Sequence, residues 1–321
     1  MKRLWKPIFF FMMLALLPVR VLARELLIPG GQVVGLQLQE DCVTVAAFDE
    51  ILGGAAREAG LKIGDTLVKI DDRPVTCAED VLSVLEEGPE AVSLTIRRGL
   101  KEHTLSLTPR ETPEGKRLGI HLRQGIAGIG TITFYDPRTG LFGTLGHGVS
   151  TGKGGLLPMT RGSACEAEVL SVQRGKAGTP GQLRGSAGGL PICGTLLKNT
   201  PQGVFGMAER GWSGDAIPTA EFSEVHTGAA TIRSTVSGRA VQEYSVEILK
   251  IYPEGRPDGR NFLLRITDPV LLEKTGGIVQ GMSGSPILQD GKLVGAVTHV
   301  LVNQPDTGYG IFIENMLDAA G

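Results

Sequence analysis

Apolar and polar residues alternate along much of this chain in short runs, the period expected of half-buried β-strands. Such runs cover residues 33–38, 42–48, 66–70, 91–97 and 103–107. Residues 77–85 differ, because Val81, Leu82 and Leu85 fall on one face of a helix. From residue 119 onward, short strands and glycine turns recur with almost no helical period, which is typical of an all-β barrel or sandwich. The pattern predicts a mainly β protein with a small mixed unit ahead of a larger β domain.

Composition supports this division. The chain has 321 residues, enough for two domains, and its 46 glycines favour many turns. The formal net charge of −2 gives no support to nucleic-acid binding, which favours a basic face. We therefore expect no nucleic-acid partner.

The first 23 residues have the features of an export signal. Lys2, Arg3 and Lys6 precede an apolar run over residues 7–17, and Val21 and Ala23 then occupy the small-residue positions of a signal-peptidase site. The run is short for a membrane span, so a cleaved signal peptide is preferred and an uncleaved N-terminal anchor is the alternative. Either way, the bulk of the protein is expected outside the cytoplasm.

Four cysteines fit an exported protein without proving disulfides. Cys42 and Cys77 fall in one candidate domain, and Cys165 and Cys193 in the other. Two bridges within domains and four buried free thiols both remain open. The spacing matches no metal motif, so we expect neither a metal site nor a cofactor.

The phrase AGLKIGDTLVKIDDRPV, with the strands around it, resembles a PDZ domain of the kind attached to bacterial serine proteases. We assign residues 29–109 to this unit, 110–118 to a linker and 119–321 to a second domain. A PDZ domain binds a peptide as an added strand and captures its carboxylate with backbone amides. The predicted capture site consists of Gly30, Gly31, Val34, Gly35 and Leu36. A PDZ unit that serves only as a spacer is the alternative.

The stretch GMSGSP resembles the GxSGGP motif around the nucleophile of trypsin-like peptidases, with Ser285 in place of the second glycine. The serine that matches the nucleophile is Ser283. Glycines around it let consecutive amides face one concavity, so Gly281, Met282 and Ser283 are the predicted oxyanion-hole residues. The resemblance implies a trypsin-like double β-barrel for residues 119–321.

A serine nucleophile needs a base and a group that orients the base. Of five histidines, His147 comes just after an apolar strand and resembles the strand-end histidine of trypsin-like peptidases, and glycines on both sides leave its ring uncrowded. His299 is its main rival. The candidate acids are Asp215, Asp258 and Asp268. Asp268 precedes a proline, so it could equally be only the N-cap of a short helix over residues 269–274. Spacing alone leaves the acid open.

Taken together, the N-terminal signal, the PDZ-like unit and the motifs LGHG, ITDP and GMSGSP resemble the stage IV sporulation protein B peptidases of endospore-forming Firmicutes. The resemblance implies a catalytic set of His147, Asp268 and Ser283, with Asp215 as the alternative acid. Ser150 departs from the acidic residue expected there in relatives, which puts a local turn contact in doubt.

The resemblance also implies a biological role. It implies export into the space between the two forespore membranes and self-cleavage in the N-terminal region, which is also a possible PDZ ligand. The enzyme would then cut the extracytoplasmic part of a membrane-bound inhibitor complex of an intramembrane protease, which leads to activation of the late mother-cell sigma factor. The alternatives are a catalytically silent PDZ adaptor and a general HtrA-like protease. In HtrA-like proteases the PDZ unit follows the peptidase domain, whereas the PDZ-like phrase here precedes it.

Overall fold

The computed structural model describes residues 25–151, 154–252 and 259–321 of the chain. The predicted signal peptide or anchor, residues 1–23, and the candidate acid Asp258 lie outside the described residues. Within those three ranges, no helix is long and apolar enough to cross a membrane.

The fold is mainly β, as predicted. The strands, in chain order, are β1 (Leu26–Pro29), β2 (Val33–Gln39), β3 (Val43–Phe48), β4 (Thr66–Ile70), β5 (Arg73–Pro74), β6 (Val92–Arg98), β7 (Lys101–Leu107), β8 (Arg110–Thr112), β9 (Gly115–Arg117), β10 (Ile120–Arg123), β11 (Ile126–Tyr135), β12 (Leu141–Thr144), β13 (Arg161–Glu166), β14 (Glu168–Gln173), β15 (Gln182–Ser186), β16 (Ile192–Thr200), β17 (Gly203–Ala208), β18 (Ile217–Pro218), β19 (Gly228–Ser234), β20 (Gln242–Ile251), β21 (Phe262–Ile266), β22 (Pro286–Gln289), β23 (Lys292–Leu301) and β24 (Gln304–Phe312). The helices are α1 (Gly54–Glu58), α2 (Ala78–Glu87), α3 (Pro269–Thr275) and α4 (Ile313–Ala320), with a 3-10 turn at Phe222–Glu224. The helices predicted at 77–85 and 269–274 are both present.

The N-terminal barrel closes in the strand order β2-β11-β12-β17-β16-β13, with β13 returning to β2. Strand β1 continues the line of β2 along β11 and carries β18 on its other edge. Fully buried Phe142 lies in the core of this barrel. A Cβ atom on Gly194 would lie 2.5 Å from the Phe142 ring, so glycine is needed at that position. Part of the high glycine content therefore makes room for a few aromatic rings.

The C-terminal barrel closes in the order β19-β20-β21-β24-β23-β22. Its core contains Phe262 and Phe312, whose rings pack edge to face with centroids 4.5 Å apart. Helix α3 follows β21 and leads into the segment that carries Ser283, and α4 packs against β23 and β24. The predicted double β-barrel is confirmed.

The PDZ-like unit is inserted into the N-terminal barrel, between β2 and β11. Its sheet has the order β10-β3-β4-β6-β7, with β5 paired to β4, and helices α1 and α2 accompany it. Fully buried Leu67, Leu94 and Ile96 form part of its separate core. Buried Asp65 bonds the Arg98 guanidinium at 2.7 Å, which compensates for removing its charge from water.

The predicted boundaries of this unit are wrong at both ends. Residues 29–39 belong to the barrel, and the predicted linker at 110–118 contains the hairpin of β8 and β9. Strand β10 then pairs with β3, so the inserted unit extends to Arg123 rather than ending at residue 109. The alternation within β2 predicts a strand, but it does not show which strands pair with it, because those strands lie far along the chain.

All four cysteines are free thiols, so neither of the two possible bridges forms. Buried Cys193 donates a hydrogen bond to the Ala164 carbonyl at 3.4 Å. Burial raises the pKa of the Cys193 thiol to about 11, helped by nearby Cys165. Cys193 is therefore a protonated packing residue rather than a reactive thiol.

Candidate active site

A cleft of about 610 Å³ brings together Ser283, His147 and His299. One wall comes from the N-terminal barrel, including Leu36 of β2, and the other comes from the C-terminal barrel. The remaining lining is uncharged and largely apolar: Leu38, Ile126, Gly128, Ile129, Leu145, Gly148, Val149, Ser150, Pro180, Ile278, Val279, Gln280, Gly281, Thr298, Val300 and Val302. In the part of the chain that the structure describes, the cleft has no Asp, Glu, Lys or Arg in its lining.

The turn around Ser283 is fixed to β11 of the other barrel by three hydrogen bonds. Thr131 donates from its hydroxyl to the Gly281 carbonyl at 2.7 Å and from its N–H to the Ser283 carbonyl at 3.0 Å. The Thr133 hydroxyl donates to the Gly284 carbonyl at 2.8 Å. Both threonines are fully buried, so these bonds are shielded from water. Sequence reasoning missed both residues.

Gly284 is required for this approach of the two barrels. Its φ is 95°, and a Cβ atom would lie 2.1 Å from the Thr131 carbonyl oxygen and 2.5 Å from the Leu145 nitrogen. Any larger residue would strain the backbone and push the turn away from β11.

Two N–H groups of the turn remain available for an oxyanion. Within the described residues, the amides of Gly281 and Ser283 donate no hydrogen bond, and both residues line the cleft. The carbonyl at the other end of each peptide is held: Leu183 N–H donates to Gln280 at 2.8 Å, and Ser285 N–H donates to Met282 at 3.0 Å. Two donors held in place before the reaction are what an oxyanion hole requires.

Met282 does not belong to that set, so its predicted role in the oxyanion hole is wrong. Its N–H donates to the Val279 carbonyl at 3.1 Å, and its side chain is fully buried. Which amides of the turn are already bonded depends on the folded backbone, so the local sequence pattern does not show it.

The two serines of the motif occupy different environments. Ser283 lines the cleft, and its hydroxyl donates to the Thr298 carbonyl at 2.8 Å. Ser285 is fully buried, and its hydroxyl donates to that of Ser234 at 3.1 Å. Only Ser283 is positioned to meet a substrate, after its hydroxyl turns from Thr298 toward a base.

His147 follows β12 through two residues with left-handed backbone, Leu145 at φ 70° and Gly146 at φ 67°. Its Nδ1 lies 3.0 Å from the carbonyl oxygen of Gly148. A carbonyl only accepts, so Nδ1 carries the proton and Nε2 keeps the lone pair that a general base needs. Burial lowers the pKa of His147 below its ordinary value of 6.5, and the Gly148 carbonyl offsets part of that effect.

His299, the rival base, lies on β23 in the same cleft. Its ring centroid is 5.1 Å from that of His147, with the two planes tilted by 39°. The other histidines are elsewhere: His103 on β7, His121 on β10, and exposed His226, whose Nε2 lies 2.8 Å from Asp290. The structure therefore brings together both leading candidates for the base.

Neither remaining candidate acid lines the cleft. Asp268 is the N-cap of α3: its carboxylate accepts from the N–H of Leu271 at 3.0 Å and from that of Ser245 at 3.4 Å. Asp215 is exposed and lies outside the cleft lining. The N-cap role left open by the sequence is therefore the one that the structure shows for Asp268.

The predicted peptide-capture site of the PDZ-like unit is wrong. The amides of Gly30 and Gly31 already donate to the carbonyls of Thr133 and Ile132, at 2.9 and 2.8 Å. The predicted contacts Val34, Gly35 and Leu36 lie on β2, which pairs with β11 on one edge and β13 on the other. A strand with both edges occupied cannot accept a peptide as a further strand.

A groove of about 600 Å³ between α2 and β10 is better suited to bind a peptide. Strand β10 is the edge of its sheet, and Val81, Leu82 and Leu85 of α2 form the apolar wall opposite. Gly119, with φ 71°, lies just before β10 and lines the same groove. The glycine before an alternating strand in LGIHL is the sequence signal that could have identified this edge.

Two protein-family models match parts of this chain. A family model described as SpoIVB peptidase S55 matches residues 114–317, and a PDZ domain model matches residues 50–98. Serine protease HTRA1 of Xenopus tropicalis is 39% identical over 56 residues, which cover 17% of this chain and 12% of that relative. The active form of the Rv3671c protease of M. tuberculosis aligns with a TM-score of 0.38 and 14% identity, covering 61% of this chain and 75% of that one. The PDZ domain of an SdrC-like protein from Listeria monocytogenes aligns with a TM-score of 0.23 and 19% identity, covering 26% and 87%.

Proposed function

The chain belongs to the SpoIVB peptidase S55 family and is a serine endopeptidase, and from that premise we propose that it cleaves uncharged protein segments in sporulation signalling. The observation that supports the catalytic part of this proposal is the cleft, where Ser283 lies with His147 and with two backbone N–H groups that donate no hydrogen bond. The substrate, location and partners are proposals supported by family membership and by the chemistry of the cleft.

In the first half of the reaction, Ser283 Oγ attacks the scissile carbonyl carbon while its proton passes to His147 Nε2. The carbonyl oxygen becomes an oxyanion and accepts from the N–H groups of Gly281 and Ser283. The C–N bond then breaks, the proton moves from His147 to the leaving amine, and an acyl-enzyme remains. In the second half, water gives a proton to His147 and attacks the ester, and Ser283 regains its proton as the acid product leaves.

The lining of the cleft supports an uncharged substrate. A charged side chain would lose its hydration there without meeting an opposite charge among the described lining residues, which is costly. Apolar side chains on the substrate would instead bury surface against residues such as Ile129, Ile278 and Val300.

For the cellular role, we infer that the protein is exported into the space between the forespore membranes, with residues 1–23 serving as its signal peptide or as an anchor before cleavage. The proposed substrates are the enzyme's own N-terminal region and the extracytoplasmic part of a membrane-bound inhibitor complex. Cutting that complex would release an intramembrane protease and so activate the late mother-cell sigma factor. The family name and the apolar N-terminal run support this proposal.

The groove between α2 and β10 is the proposed site for a peptide of the substrate or of the enzyme's own N-terminal region. The peptide would add a strand to β10 and pack its side chains on α2. Leu82→Lys, on the groove wall, is expected to weaken binding of a fluorescent peptide spanning residues 1–24. Leu100→Lys, at an exposed turn of the same unit, is the matched control. Equal binding by the two variants would contradict the assignment.

The main test compares the purified wild type with Ser283→Ala by mass spectrometry of their N-terminal fragments. Only the wild type is expected to shorten itself beyond any signal-peptide cleavage near residue 23. Unchanged processing in Ser283→Ala would contradict the proposed reaction. A wild type that folds yet cuts neither itself nor a protein substrate would favour a silent PDZ adaptor instead.

A further inference from the structure

Asn199, at the end of β16, makes three hydrogen bonds to the loop that follows His147. Its side-chain oxygen accepts from the Val149 N–H at 2.9 Å. Its amide group donates to the carbonyls of Val149 and Leu157, at 2.8 and 2.9 Å. These contacts fix the orientation of the amide, because exchanging its oxygen and nitrogen would set donor against donor and acceptor against acceptor. Asn199 therefore clamps this loop to the barrel.

The clamp reaches the imidazole through one peptide group. The N–H of Val149 and the carbonyl of Gly148 belong to the same planar peptide. That carbonyl is the one that lies 3.0 Å from Nδ1 of His147. Asn199 thus holds one end of a peptide whose other end holds the base.

We propose that Asn199 is a positioning residue for the general base. It fixes the Gly148–Val149 peptide, which keeps the proton of His147 on Nδ1 and leaves Nε2 free to take the proton of Ser283. A carboxylate performs this task in Ser-His-Asp peptidases. In this structure the contact of His147 Nδ1 is the main-chain carbonyl of Gly148, and Asn199 holds that carbonyl in place.

The choice of residues fits this role. An aspartate at position 199 would place an acceptor against the two carbonyls that Asn199 now satisfies, so the amide is required. Gly148 is required as well, because a Cβ atom there would lie 2.6 Å from the Thr200 carbonyl oxygen. The peptide therefore packs directly against the end of β16, and hydrogen bonds linked in series polarise and strengthen one another.

The first test needs no change at Asn199. Nitrogen-15 NMR of the full chain, labelled at histidine and assigned with His147→Gln, reports which ring nitrogen carries the proton. We expect His147 to be in the Nδ1–H form wherever it is neutral. A predominant Nε2–H form would overturn the proposal, and this measurement decides the matter even if the variants fail to fold.

The second test compares Asn199→Ala with Thr151→Ala, which removes a 2.9 Å side-chain bond to Gly154 in the same loop. The readouts are the histidine tautomer and the rate at which a fluorophosphonate probe labels Ser283. Asn199→Ala is expected to mix the two tautomers and slow labelling roughly 10- to 100-fold, the range found when a residue that orients a metal-bound histidine is lost. Thr151→Ala is expected to leave both readouts unchanged.

Equal losses in the two variants would reduce Asn199 to a loop-stabilising residue, and an unchanged tautomer in Asn199→Ala would overturn the positioning role. The role of Asn199 rests on the proposed roles of His147 and Ser283, but the experiments distinguish a failure of the first from a failure of the others. A wild type that is not labelled contradicts those roles, whereas a labelled wild type with the other tautomer contradicts only the role of Asn199.

Discussion

Thr131→Val tests whether the N-terminal barrel holds the oxyanion hole in place. Valine keeps the shape of the side chain and removes the hydroxyl that donates to the Gly281 carbonyl at 2.7 Å. Thr131 is 0% exposed, so water cannot replace that donor without a rearrangement. An unpaired buried carbonyl costs about 1–3 kcal/mol, and because Gly281 is only partly buried we expect the free energy of unfolding in urea to fall by about 1 kcal/mol, the lower end of that range.

The catalytic effect should be separate from the loss of stability. The Gly281 carbonyl can relieve its loss only by moving the turn, which displaces the neighbouring N–H donors. Complete removal of one oxyanion donor costs roughly 100- to 1,000-fold in kcat, so a displaced donor should cost about 10-fold or more. The assay is the rate of fluorophosphonate labelling at Ser283, measured where each variant is fully folded.

The matched control is Thr144→Val. Thr144 is equally buried and donates to the Thr131 carbonyl at 2.6 Å, but it makes no bond to the serine turn. It should lose similar stability and keep the wild-type labelling rate. If Thr131→Val labels as fast as Thr144→Val, the pinning of the turn by β11 has no part in catalysis and the reasoning fails.

Two further outcomes follow from the site. Asp268→Ala should lower the free energy of unfolding by about 1 kcal/mol, the usual cost of losing an N-cap. Asp268→Ser keeps a capping side chain, so it should recover that stability together with any labelling of Ser283 that is lost in Asp268→Ala. A stable Asp268→Ser protein that does not label would instead give Asp268 a catalytic role. Because burial lowers the pKa of His147 and only the neutral ring is a base, labelling should rise with pH through a midpoint below 6.5. A midpoint at or above 6.5 in the pH–rate profile would contradict this environment for the base.

The sequence pointed to Ser283 and His147 because each stands among glycines beside a strand, Ser283 ahead of β22 and His147 after β12. Its limits appear at β2, where alternation was equally consistent with the PDZ-like unit and with the barrel. Only pairing with β11 and β13 assigns that strand to the barrel. The capture site predicted at Gly30 and Gly31 followed from that misassignment.

Other parts of the site depend on hydrogen-bond partners that no local pattern contains. Asp268 before Pro269 suits a helix cap and a catalytic acid equally well, and its contact with the Leu271 N–H distinguishes the two. By sequence the three consecutive amides of Gly281, Met282 and Ser283 suit an oxyanion hole equally well, and the bond from the Met282 N–H to the Val279 carbonyl excludes Met282. Thr131 lies far from Ser283 in sequence, so only the packing of the two barrels reveals their contact.

The central claim is that Ser283, activated by His147, is the nucleophile, and peptide mapping of the fluorophosphonate adduct tests it most directly. The wild type should carry a single adduct on Ser283, lost in Ser283→Ala and slowed by orders of magnitude in His147→Ala. An adduct on Ser285, or labelling of Ser283 that proceeds unchanged without His147, would contradict the account.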